Sequence, residues 1–215
     1  AYDNTSGLMR TDLLDGNVLP LIQPYNGVPW LYGGNEARTN ANTTTNIVDW
    51  LLIELRDAND VDFVVAQKTA LLRHNGTVTD VINVATPDDG VKFVGVAPNT
   101  NYYVLVRHRN HVDVVSALPM LLPNAAPYNF TSGTNMAMGN NQQTEVAAGR
   151  YALYAGDFNG DGVVTVADFN SYALQTAEIN QYLSTDCSLD GNVTVVDFNQ
   201  YQPNSSHIGN QVVRY

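Results

Sequence analysis

Two twelve-residue segments near the C-terminal end of the chain repeat each other at an offset of 29 residues. Asp157-Phe-Asn-Gly-Asp-Gly-Val-Val-Thr-Val-Ala-Asp168 aligns with Asp186-Cys-Ser-Leu-Asp-Gly-Asn-Val-Thr-Val-Val-Asp197, and the likeness runs on through Phe169-Asn170 and Phe198-Asn199. A match this close at a fixed spacing marks a duplicated structural unit. Its chemistry is an oxygen cage: a calcium ion takes six to eight oxygens, and a loop of this length supplies them from positions 1, 3, 5, 7, 9 and 12, with glycine at 6 for the turn. The first loop offers Asp157, Asn159, Asp161, the Val163 carbonyl, Thr165 or a water held there, and Asp168, turning at Gly162. The second offers Asp186, Ser188, Asp190, the Asn192 carbonyl, Thr194 or its water, and Asp197, turning at Gly191. Two ions are therefore expected. Position 12 is Asp in both loops, which shortens the reach of the usual Glu ligand. Val164 and Val193, at position 8, are expected to bridge one loop to the other.

The charge distribution points the same way. The chain of 215 residues has a formal net charge of -11. Residues 1–150 hold nine basic and fourteen acidic side chains, whereas residues 151–215 hold only Arg214 against seven acids. Six of those seven lie in the two loops, so two divalent cations bring the tail from -6 to -2. The acidity is ligand first and a solubility device second. It also disfavours nucleic acid or an anionic membrane surface as partner. No run of about 18 apolar residues is present, so no membrane insertion is expected.

Charged residues make up only 14% of the chain, against about 25% in ordinary soluble domains. Asn, Thr, Gly, Val and Tyr take their place, as in extracellular β-proteins. Between Ile47 and Leu118, short β-rich runs alternate with turn clusters, and the predicted strands are Ile47–Leu55, Asp62–Leu72, Val78–Val84, Val91–Val94, Tyr102–Arg107 and Val112–Leu118. Asn75-Gly76 is a hairpin signal. Without helical periodicity between them, such strands predict a mainly β fold, an antiparallel sandwich of jelly-roll type. Leu13–Ile22 is read as the start of a strand, Gly27–Thr45 as a long surface loop, and the Pro- and Asn-rich stretch 119–149 as a linker or a strap on the sandwich. The division expected is a β domain over 1–150 and a calcium module over 151–215. After the first loop Phe169, Tyr172, Ala173 and Thr176 recur at helical spacing through about Leu183. Pro203 limits the second helix to little more than one turn.

The paired loops resemble dockerin modules, over about residues 156–203. That resemblance implies calcium binding and raises docking to a cohesin-like protein, which dockerins recognise through loop positions 10 and 11. Those positions, often hydroxylated or small, are here Val166-Ala167 and Val195-Val196. The wider chain looks like C-terminal regions of large secreted surface proteins of Bacteroidetes-type bacteria. The segments that carry this likeness are Asp49–Asp57, Val65–Arg73, Asn101–His111 and Gly156–Gly162. It implies an exported, non-catalytic role.

Other chemistry is sparse. Neither a G-x-S-x-G nor an H-E-x-x-H signature occurs, and the single cysteine, Cys187, sits inside a calcium loop, so no enzyme is expected. His108 and His111, among Arg107, Arg109 and Asp113, read as a hydrogen-bonded strand end sooner than a metal or catalytic site. Asp49 and Glu54 could pair for glycoside hydrolysis only if both faced a cleft. Trp30 and Tyr32 could stack on sugar, although anchoring of their loop is commoner. Asn42, Asn75 and Asn129 open Asn-x-Thr triplets in a chain so rich in both residues that chance accounts for them. The absence of a Met start and of a charged-then-apolar leader before Ala1 is as expected of a processed mature chain or of a trimmed piece of one. The functional expectation is a calcium-binding structural protein of the bacterial surface that assembles with copies of itself into a filament or layer. The alternative is a module docking to a cohesin-like partner or a polysaccharide.

Overall fold

A computed structural model describes residues 2–38, 46–81, 90–124 and 126–213. In chain order the elements are β1 (Tyr2–Asp3), β2 (Leu8–Met9), α1 (Asp12–Asp15), β3 (Ile47–Asp57), β4 (Val64–Arg73), β5 (Val78–Thr79), β6 (Thr100–His108), β7 (His111–Val115), β8 (Met120–Leu122), β9 (Thr144–Ala147), β10 (Arg150–Ala152), α2 (Val166–Gln175) and α3 (Val195–Tyr201). The fold is mainly antiparallel β. One sheet runs β5-β4-β3-β6-β7, with β8 pairing the start of β6 where β7 does not reach, and β1–β2 and β9–β10 form small two-stranded sheets.

The central strand is β3, where ten consecutive residues from Ile47 to Arg56 are buried. Such a run requires cover on both faces. On one face Val48, Trp50 and Leu52 pack with Leu71 against Leu13, Leu19, Tyr25 and Tyr32 of the N-terminal segment. Each of these side chains contributes about 1.5–3 kcal/mol when fully buried. On the other, Leu51, Ile53 and Ala70 meet Val91, Phe93, Val104 and Val106. Irregular chain tied by hydrogen bonds forms the first cover: the Trp50 Nε1 donates to Pro20 O at 3.0 Å and the Tyr25 hydroxyl to Trp50 O at 2.9 Å.

The strand expectations hold for the core of the sheet and fail at its margins. β3, β4, β6 and β7 lie where the alternation places them, and Gly76 (φ +86°) makes the β4–β5 turn. Leu13–Ile22 instead forms the short helix α1 and a turn at Asn17 (φ +56°), because Asp12 and Asp15-Gly16-Asn17 bring cap and turn residues into the apolar run. Val91–Val94 is irregular chain laid on the sheet. The far end of the predicted Val78–Val84 strand, and Asn42, fall outside the described residues. Between 119 and 149 the chain is a strap: β8 joins the sheet, and Ser116 bridges Ala137. α2 stops at Gln175, short of the predicted Leu183, while α3 ends at Tyr201 and runs into a 3₁₀ turn over Pro203.

Candidate metal site

In both loops the backbone is shaped by side-chain carboxylates. Asp157 accepts the N–H of Asp161 (3.1 Å) and Gly162 (3.0 Å), and Asp186 accepts those of Asp190 (3.1 Å) and Gly191 (2.8 Å). Gly162 and Gly191 share φ +82°, the left-handed turn that excludes a side chain without strain. Thr165 and Thr194 cap α2 and α3, each in a reciprocal pair with the Asp three residues on. That Asp closes the loop: Asp168 accepts from Phe158 N (2.7 Å) and Thr165 N (2.8 Å), and Asp197 from Ser188 N (2.9 Å) and Thr194 N (2.8 Å). Asp157, Asp168, Asp186 and Asp197 are all buried, whereas Asn159 is exposed.

Because Asp168 and Asp197 direct both oxygens toward backbone N–H groups, the carboxylates ring the loop without collapsing together. Among the described residues, no group of three His, Cys, Asp or Glu side chains is gathered closely enough to hold a metal ion. The donor set nevertheless fits a hard cation: all-oxygen, twelve residues long, with a left-handed glycine at the sixth position. Electrostatics argues likewise. Burial, then the charges of Asp113 and Asp168, pushes Asp157 up to about 8, and burial also raises Asp168 and Asp186. Carboxylates that resist ionisation in company are stabilised by a positive ion among them.

Val164 and Val193, both buried, do not bridge to one another as the sequence suggested. The Val164 N–H donates to His207 O (2.9 Å) and its carbonyl accepts from Ser206 N (2.7 Å), while Val193 exchanges bonds with Ala177 and Glu178. Each loop thus pairs with the segment that follows the other loop's helix. The reason is the brevity of the helices, which end soon enough for the chain to return alongside the opposite loop. Tyrosines complete the exchange: the Tyr201 hydroxyl donates to Thr165 O (2.8 Å) and the Tyr172 hydroxyl to Thr194 O (3.0 Å). Tyr172 and Tyr201 keep the 29-residue offset, a signal in the sequence that extends the repeat beyond the loops.

The β6–β7 turn joins this unit to the sheet, which sequence reasoning did not foresee. Asn110 O accepts from Gly156 N, and Asn110 Nδ2 donates to Asp186 O at 2.7 Å. Arg109, buried, donates to Leu183 O and to Asp186 O (3.3 Å), lies 4.2 Å from the Tyr182 ring centre, and pairs with Asp49 at 3.0 Å. His108 Nε2 (3.1 Å) and the Tyr182 hydroxyl (2.6 Å) also meet Asp49, and His111 stacks edgewise on His108. The histidines are a strand end, His108 buried and His111 half-buried. Glu54 sits in a separate cluster with Arg56, Arg107 and Gln67, so it shares no cleft with Asp49. Trp30 packs against the core edge-on to Tyr25, and Tyr32 bonds Glu36, which anchors their loop. Cys187 is buried, its thiol pushed well up by burial, and it donates to Asp197 O. No helix among the described residues is long and apolar enough to cross a membrane.

No protein-family model matches the chain, and no curated protein matches it. Among solved structures, the chain is similar to two crystal structures of type II cohesin–X-dockerin complexes from Acetivibrio cellulolyticus, an N-terminal and a C-terminal interface mutant. Identity is 13% and 14%, with a TM-score of 0.39 for each, over 81% of this chain and 91% of the other.

Proposed function

We propose that this is a secreted, non-catalytic protein that binds two calcium ions through the loops at 157–168 and 186–197 and presents the helices they hold to a protein partner. The observation that carries the docking reading is the exposure of apolar side chains at the start of both helices. Val166, Val195 and Val196, at loop positions 10 and 11, are 70%, 64% and 46% exposed, and Phe169 on α2 is 38% exposed. Apolar residues left to solvent at matching positions of a capped and cross-braced unit favour an interaction surface. In this reading calcium fixes the helices and the valines make the contact. Two ions held at a hundred times their dissociation constant each add about 2.7 kcal/mol to stability.

A second reading, assembly of copies into a filament or layer, draws on the sheet. β5 pairs β4 only at Leu71 and Leu72, so no described strand lies along Val64–Ala70 on that side, and Phe63 at its start is 60% exposed. An open edge of this kind accepts another strand. Light scattering and electron microscopy of the purified chain, with calcium and with chelator, separate the two readings. Docking predicts a calcium-bound monomer whose capture by an immobilised cohesin-type protein is lost in a Val166→Asp/Val195→Asp double variant. Calcium-dependent filaments would support assembly instead, and a monomer silent toward cohesin-type proteins and glycan arrays alike would sink both.

A further inference from the structure

The two loops are near copies in backbone and donors, yet arginines stand directly against the acids of only one of them. At the first loop, no cationic side chain forms an ion pair with Asp157, Asp161 or Asp168 among the described residues. On the sheet side, Asp113 acts on Asp157 and is itself paired with Arg107. The second loop faces two arginines. Arg109 Nη2 lies 3.8 Å from Asp186 Oδ2, and Arg10 Nη2, paired mainly with Asp12, lies 3.9 Å from Asp190 Oδ2. Arg109 cannot retire from this position, because Asp49, the Tyr182 ring and the carbonyls of Leu183 and Asp186 hold it in the interior.

Resting on the calcium reading above, we infer that the two sites are unequal: the first loop fills first, and Arg109 and Arg10 are the residues that weaken the second. A fixed guanidinium beside a position-1 carboxylate repels the incoming dication and partly neutralises the ligand that should attract it. At separations of a few ångströms and an intermediate effective dielectric, one such charge, offset in part by its pairing with Asp49, lowers affinity by about tenfold, while the exposed Arg10, paired with Asp12, acts more weakly and is screened by salt. Position 3 adds to the difference, with an amide oxygen at Asn159 and a hydroxyl at Ser188, a poorer ligand that already donates to Asp186 Oδ1. Both loops pack on the sheet: Phe158 and Val164 of the first share a core cluster with Val112 of β7, and Leu189 of the second is buried in the main core cluster.

Calcium titration calorimetry of the whole chain tests this, using Asp157→Asn to leave only the second loop and Asp186→Asn to leave only the first. The Asp186→Asn chain is expected to keep the tight step, and the Asp157→Asn chain to bind at least about tenfold more weakly. Arg10→Glu, on an exposed side chain that does not threaten folding, should tighten the weaker step several-fold at low ionic strength and leave the tighter step within twofold. Equal affinities in the two single-loop chains, tighter binding by the second loop, or a weaker step unmoved by Arg10→Glu would overturn the inference while leaving calcium binding intact. An unmutated chain that gives no binding heat would overturn calcium binding, and this inference with it.

Discussion

Replacing Asp49 with Asn tests how the sheet and the paired-loop unit are held together. Asp49 is fully buried and accepts from Trp50 N (2.7 Å), the Tyr182 hydroxyl (2.6 Å), Arg109 Nε (3.0 Å) and His108 Nε2 (3.1 Å). Burial alone would raise its pKa, but Arg109, His108 and Tyr182 outweigh that and hold the carboxyl well below its usual range. Asparagine keeps the shape, loses the charge, and places an amide donor against at least one donor. Breaking a buried ion pair from one side costs about 3–5 kcal/mol, and Arg109 then keeps only the more distant Asp186 carboxylate at 3.8 Å. For a chain of this size that lowers the melting temperature by about 10 °C. Urea denaturation and calorimetry in saturating calcium would measure it. The sign with pH follows from the lowered pKa: the unmutated chain has this stabilisation above the unfolded carboxylate's value near 4 and loses it as pH falls further. Asp49→Asn should lack that acid-dependent component. A loss below about 1 kcal/mol, or an unchanged acid profile, would refute a structural role for the Asp49–Arg109 pair.

Gly162→Ala and Gly191→Ala should each weaken calcium binding at their own loop by about tenfold, since a side chain at φ +82° costs about 1–2 kcal/mol; calorimetric titration gives the values. Tyr172→Phe and Tyr201→Phe should each cost about 1 kcal/mol of stability by removing a hydroxyl that crosses to the opposite loop. The double variant, measured by urea denaturation, should show coupling between them. Cys187, buried against Asp197, should react slowly with a thiol reagent in calcium and at least tenfold faster with chelator, followed by mass spectrometry.

The parts legible in the sequence are those set by local rules. The turns at Gly162, Gly191 and Gly76 and the strands β3, β4, β6 and β7 each depend on neighbours within a dozen residues. What escaped were long-range pairings between unlike segments. Arg109 binds Asp49 and the carbonyl of Asp186, 60 and 77 residues away, and no periodicity reports such a contact. Val164 and Val193 were assigned to each other because paired loops commonly bridge there, whereas the short helices of this chain let the returning segments take both places. The first cover of the sheet was missed for a related reason: Leu13, Leu19 and Tyr25 bury themselves from irregular chain, where side-chain spacing follows the path of the backbone and not a fixed period.

The bonds between Val164 and residues 206–207 give the end of the chain a mechanical meaning. Tension arriving from the C-terminal side first meets the packing of Val212 on the sheet and the Asn210 Nδ2 bond to Met138 O, then Gly209 N to Gly162 O, and then the bonds to Val164. The first loop would thus act as a clasp under load, closed more firmly by an ion that fixes Gly162 and Val163. A protein anchored or pulled through that end would resist unravelling in proportion to the calcium around it.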